Sequence, residues 1–402
     1  MKKIALFSAL TLAVVAIPVP AAAAAATVVP VLTAPCAGGL LVPGSAHADK
    51  GGDGKVRGFT TFEYGPGCGD AITFFEGSGS SWASGQTALH GKVIDVAADS
   101  TGTYLLYLNT APPQRGSGPP PDAELAVTKR LHDGTFTHPH WLADVGSLAP
   151  SWAGRGSIIA SGGRWFAVWP QTSSVPGRYV LHQADAMWDG GDPGEFAHPA
   201  PTTPVAADTN PALAMGADGQ PRLFWQRSVA GGRKDLLLAQ GAYGAWQPAT
   251  RVAGAVAINS SYPAMDVVAT GTRIFTTWTT TFDGDVGGSG DGRVMVGSSA
   301  DNGVTFTLSP PPVMPDHHAG NSAILRASSS SLLAAFSTTD GGEPKRPNLG
   351  VKLGSRPWTV DEAGPSVPAS IDSVGAAALI HHGQGRTTTL IHSGDRLYAA
   401  TR

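Results

Sequence analysis

Short apolar runs alternate along the chain with turns rich in Gly, Asp, Ser and Asn, and the alternation is periodic. Strongly apolar runs follow Gly- or Arg-containing turns at 104–108, 165–169, 223–225, 274–278, 332–336 and 387–391. Their last bulky residues, Tyr107, Trp169, Trp225, Trp278, Phe336 and Ile391, recur about every 57 residues. A second run follows each, at 124–128, 178–182, 235–239, 293–297, 348–353 and 395–401. Then comes a turn and another aromatic residue: Phe136, Trp188, Trp246, Phe306 and Trp358. Runs of this length between turn residues read as strands. A repeated unit of four such strands is the pattern of a β-propeller.

The last repeat lacks its aromatic because the sequence stops at Arg402, and Trp82 supplies the same feature near the other end. Residues 72–82, ITFFEGSGSSW, match 236–246, LLLAQGAYGAW, in length and in the placing of apolar residues, Gly and Trp. The expectation is an all-β, six-bladed propeller over 72–402, closed by an N-terminal strand from 72–89 paired with 395–401. Closure leaves no unpaired sheet edge. Seven blades is the alternative, if 56–64, VRGFTTFEY, belongs to a further unit. An ordinary β-sandwich has no need of aromatics recurring at two separate positions. No helix is expected in the mature chain.

Composition adds little chemistry. With 402 residues and 42% hydrophobic positions there is ample material for a core, while only 14% are charged. A net charge of −3 argues against an electrostatic nucleic-acid binder. Lys2 and Lys3, an apolar stretch over 4–17 and the run Ala21–Ala26 read as a secretory leader over 1–26. Residues 27–71 then form an N-terminal extension. A retained membrane anchor is the competing reading, and Ala46-His47-Ala48 is a second small-residue cleavage signal. Export places the protein in an extracellular or periplasmic compartment, free of the membrane after cleavage and monomeric. The two cysteines, Cys36 and Cys68, are then expected to pair, worth roughly 3–4 kcal/mol in the chain-entropy description. Cleavage after Ala48 would instead leave Cys68 free.

One turn is more specific. Ser299, Asp301, Gly303, Thr305 and Phe306 spell S-x-D-x-G-x-T-F, which resembles the Asp-box (BNR repeat) of sialidase-like propellers, and Asp133-Gly134-Thr135-Phe136 is a degenerate copy. The aspartate caps backbone N–H groups and the glycine takes positive φ. The resemblance implies a fold marker lying opposite the catalytic cleft, with function on the loops between second and third strands and between units. Sialidase chemistry also requires an arginine triad, an Asp acid/base and a Tyr–Glu pair. The nearest arginine candidate, Arg57 in Val56-Arg57-Gly58-Phe59, lacks the family's motif. Arg155, Arg273 and Arg326 also stand outside a matching motif.

Histidines supply the other candidates. His138, His140, His198, Asp316, His317 and His318, with His90, are read as inter-unit loop residues, the first three as ligand contacts and Asp316, His317 and His318 as catalytic. Asp283, Asp285 and Asp291 on a Gly-rich loop suit Ca²⁺, a hard cation that takes oxygen ligands. No other cofactor is indicated. The aromatic row at Tyr107, Trp169, Trp225, Trp278 and Phe336 reads as inter-blade packing rather than a sugar platform. Two functions remain: recognition of a glycan or extracellular protein, or carbohydrate-active catalysis by a glycosidase or lyase.

Overall fold

A computed structural model describes residues 27–36, 39–63, 70–111, 123–148, 156–187, 207–242, 245–258, 265–281, 292–309, 318–327, 331–339, 346–353, 359–362, 374–383, 386–393 and 395–401. These residues are mostly strand, with two short 3-10 turns at Val145–Ser147 and Ala230–Gly232. The first strand, β1 (Thr27–Thr33), precedes a series of antiparallel meanders. The first contains β2 (Leu40–Lys50), β3 (Val56–Glu63), β4 (Ala71–Ser78) and the start of β5 (Ser81–Asp99). The remainder of β5 opens the second, with β6 (Gly102–Asn109), β7 (Glu124–Arg130) and β8 (His140–Asp144). Next come β9 (Ser157–Ser161), β10 (Arg164–Thr172) and β11 (Tyr179–Met187).

The following meander holds β12 (Asp208–Met215), β13 (Pro221–Ser228), β14 (Lys234–Ala242), β15 (Ala245–Trp246) and β16 (Thr250–Val256). It is succeeded by β17 (Asp266–Thr270), β18 (Arg273–Thr281), β19 (Gly292–Ser299) and β20 (Thr307–Ser309). Then come β21 (His318–Ala327), β22 (Ser331–Thr339), β23 (Arg346–Leu353) and β24 (Thr359–Glu362). The last meander is β25 (Val374–Gly383), β26 (Arg386–Ser393) and β27 (Arg396–Thr401), and β1 completes it as the outer strand.

The first strands of successive meanders pack side by side. β2 touches β5, β5 touches β9, and so on through β12, β17, β21 and β25, which returns to β2. The strands therefore close a ring. Between neighbouring sheets lies the core: Trp165 and Trp169 pack with Leu106 and Leu125, and Phe224 lies 6.4 Å from Trp278. Tyr107, Trp169, Trp225 and Trp278 are all fully buried, so these members of the aromatic row are packing residues. Each removes a large apolar surface from water, the dominant favourable term in such a core.

The closing strand differs from the sequence expectation. Residues 72–89 do not pair with 395–401. Phe74 in β4 is opposite Phe59 of β3 on one side and Gly85 of β5 on the other, so both edges of that strand are occupied within its own meander. The outer edge of β27 is taken instead by Thr27–Thr33, with Thr27 opposite Thr401 and Thr33 opposite Arg396. Residues assigned to an extension thus supply β1, β2 and β3. The local match between 72–82 and 236–246 is sound, since both are a third strand, a tight turn and the start of a fourth.

Gly91 allows β5 to serve two sheets. Ala71 pairs with His90, and the next residue, Gly91, already pairs with Asn109 of β6. Its φ is 137°, and an added Cβ would stand 1.7 Å from the Leu108 carbonyl oxygen. Only glycine fits that crossing.

Candidate functional site

Consecutive connections in a meander alternate between its two ends. First-to-second and third-to-fourth turns share one end, while second-to-third and unit-to-unit connections share the other. The first end is trimmed: β5 to β6 takes 100–101, β9 to β10 takes 162–163, and β17 to β18 takes 271–272. Four long connections, 110–123, 145–156, 282–291 and 363–373, join strand ends that belong to the second end. The still longer 188–207 follows a third strand and reaches the next first strand. Long connections on a rigid scaffold are the usual carriers of recognition.

Charged groups from the first strands converge inside the ring. His47 Nδ1 of β2 lies 3.3 Å from Asp95 Oδ1 of β5. Asp95 Oδ2 accepts the Ser157 hydroxyl and the Ile158 N–H of β9, both at 2.9 Å. Asp49 of β2 accepts Lys50 N–H at 2.7 Å and Ala98 N–H of β5 at 3.0 Å. Across the ring, Arg326 of β21 stands 3.8 Å from Asp266 of β17. Burial pushes the Asp49 carboxyl above the ordinary carboxylate value, Arg326 opposes this, and Asp95 adds repulsion. The cluster stitches strands together, because Ser157 Oγ also accepts Leu213 N–H of β12 at 3.2 Å. It also brings the Asp49 carboxyl, raised by burial, near the Arg326 guanidinium.

At the end bearing long connections, His90 Nδ1 lies 2.9 Å from Asp70 Oδ1, and the Thr110 hydroxyl donates to Asp70 Oδ2. The Thr110 contact, foremost, holds the Asp70 carboxyl below its usual value against some burial. Gly91 N–H donates to Asp70 O at 2.6 Å and Thr110 N–H to His90 O at 3.2 Å, which fixes the backbone beneath the pair. Both side chains are about half exposed. Nearby in type, Asp208 is fully buried at the start of β12, accepting Trp225 Nε1 at 3.1 Å and Arg227 through two contacts of 2.7 and 2.9 Å. Burial raises its carboxyl and Arg227 counteracts this.

The opposite end is built from capped turns. Ser299 Oγ donates to Asp301 Oδ1 at 2.7 Å and accepts Gly303 N–H at 2.8 Å. Asp301 accepts Thr305 N–H at 2.9 Å and the Thr305 hydroxyl at 2.6 Å, holding its carboxyl down to about 2. Gly303 has φ of 85°. Asp133 caps Thr135 N–H and hydroxyl in the same manner, at 2.9 and 2.6 Å. Asn302 next to Asp301 joins the neighbouring meander, accepting Arg222 Nη2 at 3.0 Å and donating to Gln240 Oε1 at 3.1 Å.

Several sequence candidates fall elsewhere. His138 and His140 lie between and within β7 and β8, on the third-to-fourth connection beside Asp133, and not between units. His138 Nδ1 faces Pro139 O at 2.9 Å, and the His140 ring packs 6.4 Å from Trp165. The chain turns back into its own outer strand here, which the sequence reading placed one connection too late. His318 opens β21, its backbone opposite Thr339. His198, Asp316, His317, Asp283, Asp285, Asp291, Arg155 and Cys68 lie outside the described residues. Cys36 is disulfide-bonded.

Of the arginines, Arg57 is clamped by Asp53 at 2.7 and 2.8 Å and lies 3.4 Å from Glu76, a structural setting at the short-turn end. Arg273 sits over Phe275, and among the described candidates Arg326 reaches the ring interior. The sequence does not group His47, Asp49, Asp95 and Asp266, since they stand on separate first strands and 46–48 also reads as a cleavage signal. The available sign was an acidic residue alternating with apolar ones shortly before a turn, as in VIDVAADS (93–100). Among the described residues no group of three metal-ligating side chains occurs. Nor is any helix among them long and apolar enough to cross a membrane.

No family model matches the chain, and no curated relative does. Solved structures do. The α-L-arabinanase of Penicillium chrysogenum complexed with arabinobiose is similar at 12% identity and TM-score 0.50, covering 94% of this chain and 97% of that one. The β-propeller domain of the trilobed protease of Pyrococcus furiosus is similar at 9% identity and TM-score 0.50, covering 91% and 95%. The intramolecular trans-sialidase of Ruminococcus gnavus in complex with oseltamivir carboxylate aligns at 10% identity and TM-score 0.45, covering 92% and 96%. The first two establish the fold as a β-propeller; at such identity, function must be argued from the site.

Proposed function

We propose that this protein is a seven-bladed propeller, closed by β1, that recognises a glycan on the face carrying the long connections. The blade count is supported by the cyclic contacts of β2, β5, β9, β12, β17, β21 and β25. The observation that carries the recognition reading is the asymmetry of the two ends, one trimmed to short capped turns and the other carrying 110–123, 145–156, 282–291 and 363–373. The turn around Asp301 serves as an Asp-box at the trimmed end, and the leader directs export. A panel of plant, bacterial and animal polysaccharides, titrated calorimetrically, tests the reading. Saturable binding to at least one glycan class supports it, and no binding to any at millimolar concentration removes it.

Glycoside hydrolysis is the second reading, favoured by the Asp49–Asp95–Arg326–Asp266 cluster. A pair of carboxyl groups is the requirement for acid and base roles in glycosidases. Here Asp49, whose carboxyl burial pushes up, would donate to the leaving oxygen, while Asp95 or Asp266 would stand by the developing positive charge. The arabinanase bound to arabinobiose makes arabinan a rational first substrate. Release of reducing sugar by wild type and its loss in Asp49→Asn would favour hydrolysis over simple binding.

A further inference from the structure

An exported chain could be released from its leader at two signals here, one in the run Ala21–Ala26 and one at Ala46-His47-Ala48. The strand pairing separates them. β1 covers the outer edge of β27 along its length, and Ala34 N–H continues the contact to Asp395 O at 2.7 Å. Val31 and Leu32 are buried with Leu41, Val56, Phe62, Leu390 and Leu397. The second signal lies inside β2, where Ala46, His47 and Ala48 pair with Thr60, Phe59 and Gly58 of β3. Ala46 and Ala48 are buried, and the adjoining His47 and Asp49 hold the ring interior through Asp95 and Ala98. Cutting after Ala48 would remove β1 and nearly all of β2. It would unpair an edge of β27 and an edge of β3 at once, and exposed edges of this kind invite misassembly.

We infer that the exported protein is processed ahead of Thr27, that the Ala48–Asp49 bond stays intact, and that Thr27–Thr33 is the clasp that closes the ring. The step is hydrolysis of one peptide bond by a leader-removing protease. One water adds across the bond, leaving a carboxylate on the leader and a new ammonium group on the mature chain. This rests on the leader and ring readings but not on any ligand.

The test uses the full chain with its own leader in a secreting host, with intact mass and N-terminal sequencing of the exported protein. The expected new terminus falls between residues 22 and 27. A folded exported protein beginning at Asp49, or one that keeps residues 1–21, overturns the inference. A Val31→Asp, Leu32→Asp variant leaves both cleavage signals unaltered and isolates the clasp. Its processed form should be digested at least roughly ten-fold faster by a non-specific protease than wild type, since digestion of a transiently open form follows its population. An unchanged digestion rate would show that β1 does not hold the ring shut.

Discussion

Thr27 stands directly opposite Thr401 in an antiparallel pair, so residues near the two ends of the sequence share one sheet. Whatever loosens β1 therefore acts on the last meander and, through Leu41 and Val56, on the first. Leu32 is buried at that junction. Leu32→Ala should cost about 2–4 kcal/mol, as truncations of buried leucine do. Thermal or urea unfolding measures it, and a change below about 0.5 kcal/mol, the scale of surface substitutions, would mean the strand is dispensable.

Much of this architecture is legible in the amino-acid order. The aromatic positions, with Ile391, locate the second strands of six meanders because these strands carry runs of buried residues. The closing strand is misplaced for a physical reason: β2 carries Pro43 and Gly44 within LLVPGSAHADK, and its pairing with β3 is irregular between Leu41 and Ala46. A strand so interrupted lacks the alternation that marks the others. A subtler signal was present, since Gly51-Gly52-Asp53-Gly54-Lys55-Val56-Arg57 parallels Gly216-Ala217-Asp218-Gly219-Gln220-Pro221-Arg222. In both, the arginine folds back on the aspartate four residues earlier, Arg57 on Asp53 and Arg222 on Asp218 at 2.8 Å. The leading glycines are needed because a Cβ at Gly51 or Gly216 would meet that guanidinium at 2.4 or 2.8 Å. The ring-interior cluster was hidden for a different reason: its members come from separate first strands and only the fold brings them together.

Asp301→Ala should lower the melting temperature while leaving glycan binding intact, because its contacts with Ser299 and Thr305 lie at the short-turn end. The pH sign follows from its depressed value. With the folded carboxyl at about 2, below its ordinary 3.8, its contribution is complete above about pH 4 and fades as pH falls toward 2. The difference between variant and wild type should therefore shrink in acid. Native melting with lost binding would put this turn on the wrong face.

Asp49 carries the opposite sign. Burial raises its carboxyl, so folding favours the protonated form, and stability is lost as pH rises through its folded value. Asp49→Asn mimics that form. Its melting temperature relative to wild type should improve between pH 4 and pH 8. A deficit that grows with pH would mean that the charge of Asp49, paired through Arg326, stabilises the ring.

No sialic acid should be released from a fluorogenic sialoside. Holding a substrate carboxylate takes convergent, charge-assisted arginine contacts. Arg57 is committed to Asp53, and Arg273 lies at the start of β18 beside the short 271–272 turn. Turnover well above a no-enzyme control would require a triad built around Arg326.

Glycan recognition on one face is the central claim, and hydrogen–deuterium exchange of the protein with and without its tightest-binding polysaccharide tests it most directly. Slowed exchange is expected in the connections 64–70, 110–123, 145–156 and 282–291, with 131–139 and 300–306 unchanged. Protection confined to 131–139 and 300–306, or saturating glycan that protects neither set, would contradict it.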